Sequence, residues 1–103
     1  MKLVIAVIQP YMLDRVTRVL RQRVSRFFVS EVRAFDSAAD EPDLCAGVRI
    51  EVPVSDAQSN SIADLIAQTV NTGRIGDGLV MIAELPYAII VDTGRRGAEI
   101  FDE

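Results

Sequence analysis

Apolar positions change rhythm along this chain, and each rhythm predicts an element. Leu3, Val4, Ile5, Ala6, Val7 and Ile8 are apolar without a break. A run that short and uniform predicts a strand covered on both sides, with Pro10 marking its exit. Leu13, Val16, Val19, Leu20 and Val24 then recur at the helical period, with arginines mainly off the stripe, so a first helix is expected over residues 12–25. Residues 27–35 are rich in β-branched and aromatic side chains and predict a second strand. A polar, acidic loop is expected over residues 36–47. Val48, Ile50, Val52 and Val54 alternate with Arg49, Glu51 and Pro53, the period of a third strand. Pro53 has no N–H to give to a ladder and should sit at the strand end or face a gap.

Ser55-Asp56-Ala57-Gln58 fits a capping box with Ser55 as N-cap, Ser59 is a competing cap, and Ile62, Leu65, Ile66, Thr69 and Val70 mark the second helix behind them. A fourth strand is expected over 79–85 and a short fifth over 87–91, followed by a turn over 92–97 and an acidic tail. The order β-α-β-β-α-β predicts an α+β, ferredoxin-like fold. Two helices lie on one face of a four-stranded antiparallel sheet, with a short C-terminal strand added. Strands one and four are nevertheless apolar on both sides. Two helices cannot cover both faces, so the other face should be buried against copies of itself, in closed cyclic symmetry.

Thr72-Gly73-Arg74-Ile75-Gly76-Asp77-Gly78 places three glycines within seven residues between the second helix and the fourth strand. One reading is structural: Gly73 caps the helix and the chain runs into a tight turn. The other is chemical: backbone N–H groups form a concave nest for an anion, typically a phosphate. Spacing leaves both open.

A length of 103 residues suits one domain, and 50% apolar content argues against disorder. No apolar run approaches the roughly 20 residues needed to span a bilayer. The start lacks the cleavage site of a secretory signal and reads as a strand. The single cysteine, Cys45, excludes an internal disulfide, and a reducing cytoplasm is the expected compartment. Absence of histidine excludes imidazole metal sites and His-dependent triads. No activated nucleophile or paired carboxylates suggest an enzyme. Net charge is −4, but residues 1–33 hold seven of the eleven basic groups, against Asp14 and Glu31 alone. Arg15, Arg18, Arg21, Arg23 and Arg26 crowd the first helix and its exit, as a solvated face or as a surface for an acidic partner or anionic lipid. Sparse aromatics and an acidic pI argue against nucleic acid.

Ile8-Gln9-Pro10-Tyr11, Val29-Ser30-Glu31-Val32-Arg33, Val48-Arg49-Ile50-Glu51, Thr72 to Gly78 and Thr93-Gly94, set in this order of elements, resemble the PII signal-transduction (nitrogen regulatory) family. The resemblance spans nearly the whole chain. It implies one PII-like domain over residues 1–103, a cytoplasmic homotrimer, and adenine nucleotides, often with 2-oxoglutarate, bound in clefts between subunits. It also implies a loop after strand two that reports the ligand to enzymes and transporters. The expected effector cleft comprises Phe28, Phe35, Pro53, Gly73, Arg74, Ile75, Gly76, Asp77 and Gly78. The expected partner loop, with Asp36, Asp40, Glu41, Asp43 and Cys45, is about half the family's usual length. There is no tyrosine between Tyr11 and Tyr87, so the family's tyrosine-modification switch is absent.

The same resemblance implies that the ligand chemistry is eroded. The family's phosphate-pairing lysine corresponds to Leu79, and its two C-terminal arginines to Ile90 and Asp92. Its arginine and glutamine at the loop base correspond to Ser37 and Ala38. The 2-oxoglutarate lysine aligns with Gly47, and the adenine-facing positions are Val7, Phe28 and Pro53. Polyphosphate needs fixed cations, and a helix C-terminus repels anions. The expectation is therefore weak or absent ATP binding and no required cofactor. A less charged effector remains: AMP, ADP, a cyclic nucleotide or a small anion. The partner is unspecified, either a metabolic enzyme or a membrane transporter, and the chain itself is not an integral membrane protein. Two rivals stand beside this regulator: a structural trimer that has lost its ligand, and a metal-linked, CutA-type trimer resting on the acidic loop and Cys45.

Overall fold

A computed structural model describes residues 1–39, 43–98, 100 and 101. Alternation of small and branched apolar residues sets its layers. In β1 (Lys2–Ile8), Val4, Ala6 and Ile8 point one way and are buried, as do Val48, Ile50, Val52 and Val54 in β3 (Cys45–Val54). Onto that face pack Val16 and Leu20 of α1 (Leu13–Arg21), Met12 of the 3-10 turn before it, and Ile62, Ile66 and Val70 of α2 (Asp56–Val70). Burying one Leu or Ile is worth about 2 kcal/mol, so this two-layer core carries much of the stability.

β1 sits in the middle, antiparallel to both β3 and β4 (Gly78–Glu84), and β2 (Phe28–Ala34) pairs with β3 at the edge. The sheet order β2-β3-β1-β4 is that of two interleaved β-α-β units, as the ferredoxin-like reading requires. A two-stranded hairpin, β5 (Ala88–Ile89) with β6 (Arg96–Gly97), lies apart from it. Among the described residues no helix is long and apolar enough to cross a membrane.

Boundaries differ from the sequence reading in instructive places. α1 ends at Arg21, before the expected 25: the N–H groups of Gln22 and Arg23 reach back only three residues, to Val19 O at 3.4 Å and Leu20 O at 3.0 Å, so the last turn tightens there. Val24 still reaches the core, which is why the apolar period outlasts the helix. β3 begins at Cys45 rather than Val48: backbone pairing of Cys45, Ala46 and Gly47 with Ala34, Arg33 and Val32 needs no apolar alternation. Pro53 pairs with Leu3 on one side, and on the other β2 stops opposite Glu51, so Pro53 meets the expected gap. The capping box is present: Ser55 Oγ accepts the N–H of Gln58 at 3.2 Å. Expected strand 87–91 shrinks to two residues, and its turn closes as a hairpin by Ile90 N–H to Arg95 O at 2.7 Å.

Among the described residues, no helix packs on the face opposite α1 and α2, and much of it is exposed. Register places Leu79, Met81 and Ala83 of β4, Leu3, Ile5 and Val7 of β1, Pro53 of β3 and Phe28 and Val32 of β2 on it. Leu79, Met81 and Phe28 are 59%, 40% and 57% exposed. Its one ion pair among the described residues joins Arg49 Nε to Glu51 Oε1 at 2.9 Å.

Candidate functional site

The C-terminal end of β1 and the N-terminal end of β4 meet where β2 leaves the sheet and β3 enters it. Their meeting leaves an open cleft of about 930 Å³. Val7, Ile8 and Gln9 line it from β1 and its exit; Phe35, Asp36, Ser37 and Ala38 from the end of β2; Asp43, Cys45 and Gly47 from the β3 side; and Ile75, Gly76, Gly78 and Leu79 from the glycine loop and β4.

The loop is built by its polar residues as much as by its glycines. α2 ends at Val70, and Asn71, in an extended conformation, is its C-cap, with its N–H on Ala67 O. Gly73 lies two residues farther on and is not the capping glycine. It adopts φ +78° because Asn71 Oδ1 accepts its N–H at 2.8 Å and turns the chain there. The Asp77 carboxylate then gathers the loop's donors: Thr72 N–H at 2.7 Å, Thr72 Oγ1–H at 2.6 Å and Arg74 N–H at 3.3 Å. A nest of N–H groups therefore exists, and the anion seated in it is the chain's own. These bonds favour the charged form. The Thr72 hydroxyl and then its amide, with the Arg74 and Gly73 amides, hold the Asp77 pKa below the ordinary carboxylate value against the opposing effect of desolvation.

Two contacts fix the loop to the sheet. Gln9 Nε2 donates to Gly76 O at 2.6 Å. Gly78, at φ +140°, passes so near β1 that a Cβ there would lie 2.3 Å from Val7 O. Gly73 by contrast has nothing within 4 Å of a built Cβ. Gln9 and Asn71 have structural roles that sequence reasoning missed; an amide just before Pro10 and an Asn directly after an apolar helix stripe were their only signals.

The cleft's electrostatics follow from its lining. Asp36 and Asp43 border it, and no lysine or arginine does. Asp36 Oδ1 accepts the Ala38 N–H at 2.9 Å, holding the start of the partner loop in a turn. Arg33 is engaged away from the cleft, on Leu44 O at 3.3 Å. Cys45 is a free thiol that contacts Asp43 O at 3.6 Å.

Of the expected effector residues, Phe35, Ile75, Gly76 and Gly78 line this cleft, joined by Asp36, Asp43 and Cys45 of the expected partner loop. Gly73, Arg74 and Asp77 belong to the adjoining loop without lining it. Phe28 and Pro53 are not brought there: they lie toward the opposite end of the strands, about 20 Å away along β2. Asp40 and Glu41 fall outside the described residues. Among the described residues no three of Cys, Asp and Glu converge as metal ligands.

No family model matches the chain. Nitrogen regulatory protein GlnK of Escherichia coli K12 is 31% identical over 106 residues, spanning 92% of this chain and 95% of that protein. The chain belongs to the PII nitrogen regulatory protein family. Nitrogen regulatory protein P-II of Rhodospirillum rubrum is likewise 31% identical, over 96% of this chain, and P-II of Rhizobium meliloti is 27% identical over 96%.

Within this PII fold, the positions that the resemblance assigns to ligand cations can now be placed. Leu79, Ser37, Ala38 and Gly47 all line the cleft, and none carries charge. Ile90 and Asp92 belong to the hairpin, Ile90 half-buried and Asp92 exposed. Among the described residues the lining holds two carboxylates and no cation, and the amides of Thr72 and Arg74 are already bonded to Asp77, so this lining does not fit a polyphosphate.

Gly78→Ala should destabilise the fold by about 3 kcal/mol or more, because β4 must move off β1, whereas Gly73→Ala should cost about 1 kcal/mol for its positive φ alone; urea melts compare the two. Asp77 supplies a pH signature. Its folded pKa lies below the unfolded value, so its contribution is complete above about pH 4 and is lost as pH falls through the lowered value. Amide resonances of Thr72 and Arg74 should shift together in that acid range, and Asp77→Asn should abolish the coupled shift.

Proposed function

We propose that this chain is a non-catalytic PII-type signal-transduction protein that works as a cytoplasmic homotrimer in nitrogen regulation. Each cleft senses a small effector of low charge, AMP or ADP rather than ATP, or a small anion. The segment 36–47 carries the response to a partner enzyme or transporter. The observation that carries the reading is the glycine loop beside the exit of β2, in a chain 31% identical to GlnK over 92% of its length. Assembly is supported by the uncovered apolar sheet face, whose exposure to water costs about 25 cal/mol per Å². On this reading Phe28 and Pro53, which lie far from their own cleft, contribute to a neighbour's. The preference for a less charged effector rests on the cation-free lining. One observation favours a ligand-free trimer as the second reading: Asp77 already takes donors that a bound anion would use.

Light scattering of the purified protein should give the mass of three chains, and Met81→Glu on the uncovered face should reduce it to one. A wild-type monomer removes the assembly. Calorimetry against AMP, ADP, ATP and bicarbonate should give heat with AMP, ADP or bicarbonate and no tighter binding of ATP. Heat with none of them leaves the ligand-free trimer, and ATP binding at least tenfold tighter than AMP refutes the low-charge reading.

A further inference from the structure

We infer that the arginine-covered outer surface of α1 and its exit is a docking surface for an anionic lipid bilayer. Arg15, Arg18 and Arg21 project from α1, and Arg23 and Arg26 from the turn into β2; all five are exposed. The ion pairs among the described residues are Met1 with Asp56, Lys2 with Glu84 and Arg49 with Glu51, so none of the five is ion-paired with a described residue. Asp14 is the one carboxylate of the segment; with Thr17, Arg18, Arg21 and Gln22 it lines a shallow groove. Arg15 and Arg18, like Arg18 and Arg21, are spaced i,i+3 on one helix, where like charges repel. This cost is borne in a chain whose net charge is −4.

The inner stripe of α1 is committed to the core, and the surface lies on the helix layer, opposite the uncovered sheet face. Assembly through that face leaves it free. Its chemistry selects the partner. A stable protein interface needs buried apolar or aromatic anchors, and none of the exposed large hydrophobic residues lies between Met12 and Phe27. Guanidinium groups without an anchor suit a laterally fluid sheet of phosphodiesters, each able to meet an arginine with two oxygens. The acidic remainder of the chain disfavours an extended nucleic acid, which would run beyond the patch. Binding is superficial and electrostatic, since no large exposed apolar side chain lies within the arginine segment itself, between Met12 and Phe27.

Each arginine near an anionic surface contributes about a fivefold factor in partitioning. The assembled protein should therefore sediment with vesicles of phosphatidylcholine containing about one-third phosphatidylglycerol at low salt, and not with phosphatidylcholine alone. Salt of about 1 M should release it. Arg15→Gln/Arg18→Gln/Arg21→Gln should weaken partitioning by about 100-fold, with thermal melting and oligomeric mass unchanged. The inference is overturned if the wild type ignores anionic vesicles at low salt, or if the triple variant binds them as well. It is also overturned if polyglutamate or duplex DNA is retained while vesicles are not, which would assign the surface to an acidic protein or a nucleic acid.

Discussion

Two helices can shield only one face of a four-stranded sheet, and the rest of this structure follows from that mismatch. Val4, Ala6, Ile8, Ile50 and Val52 turn toward α1 and α2 and are sealed from water, while Leu3, Ile5 and Val7, a residue away on β1, and Met81 on β4 turn to the face that neither helix covers. Strand alternation makes the two sets inseparable: shifting the register to hide one would expose the other. The proposed trimer resolves the mismatch by completing the second layer from other subunits. It also explains why the cleft stands open, since its walls in one chain are the ends of four strands and the loops beside them.

Much of this was legible in the apolar rhythm. The unbroken run of β1 announced a strand with two apolar faces, and of the two candidate caps of α2, Ser55 and Ser59, the structure uses Ser55. Legibility failed where backbone hydrogen bonding decides without help from side-chain pattern. β3 extends through Ala46 and Gly47 because their backbones pair, and α1 stops early although Val24 keeps the apolar period. The glycine loop shows the same limit. Its spacing allowed either a helix cap or an anion nest. Neither reading foresaw that the Asn71 side chain would turn the chain at Gly73 and Asp77 would occupy the nest, because both depend on side chains folding back onto nearby backbone.

Charge is distributed against the expectation set by the fold. The cleft between the glycine loop and the end of β2 is bordered by Asp36 and Asp43 with no cation, while the cations gather on the far side of the helix layer. Coulombic attraction at the cleft is thus weak for a polyanion, and what remains for recognition is shape, apolar contact with Phe35, Ile75 and Leu79, and the few backbone groups not already paired. Electrostatic reach belongs instead to α1, whose exposed guanidinium groups act over roughly a Debye length, about 8 Å at physiological salt.

Gly78 brings a last consequence. Its backbone lies against Val7 O so tightly that no larger residue fits without parting two central strands. Folding alone therefore demands glycine at this position, whether or not the surrounding loop holds a small molecule. The signature by which such chains are found is thus partly a record of strand packing, and descendants silent toward nucleotides would still carry it.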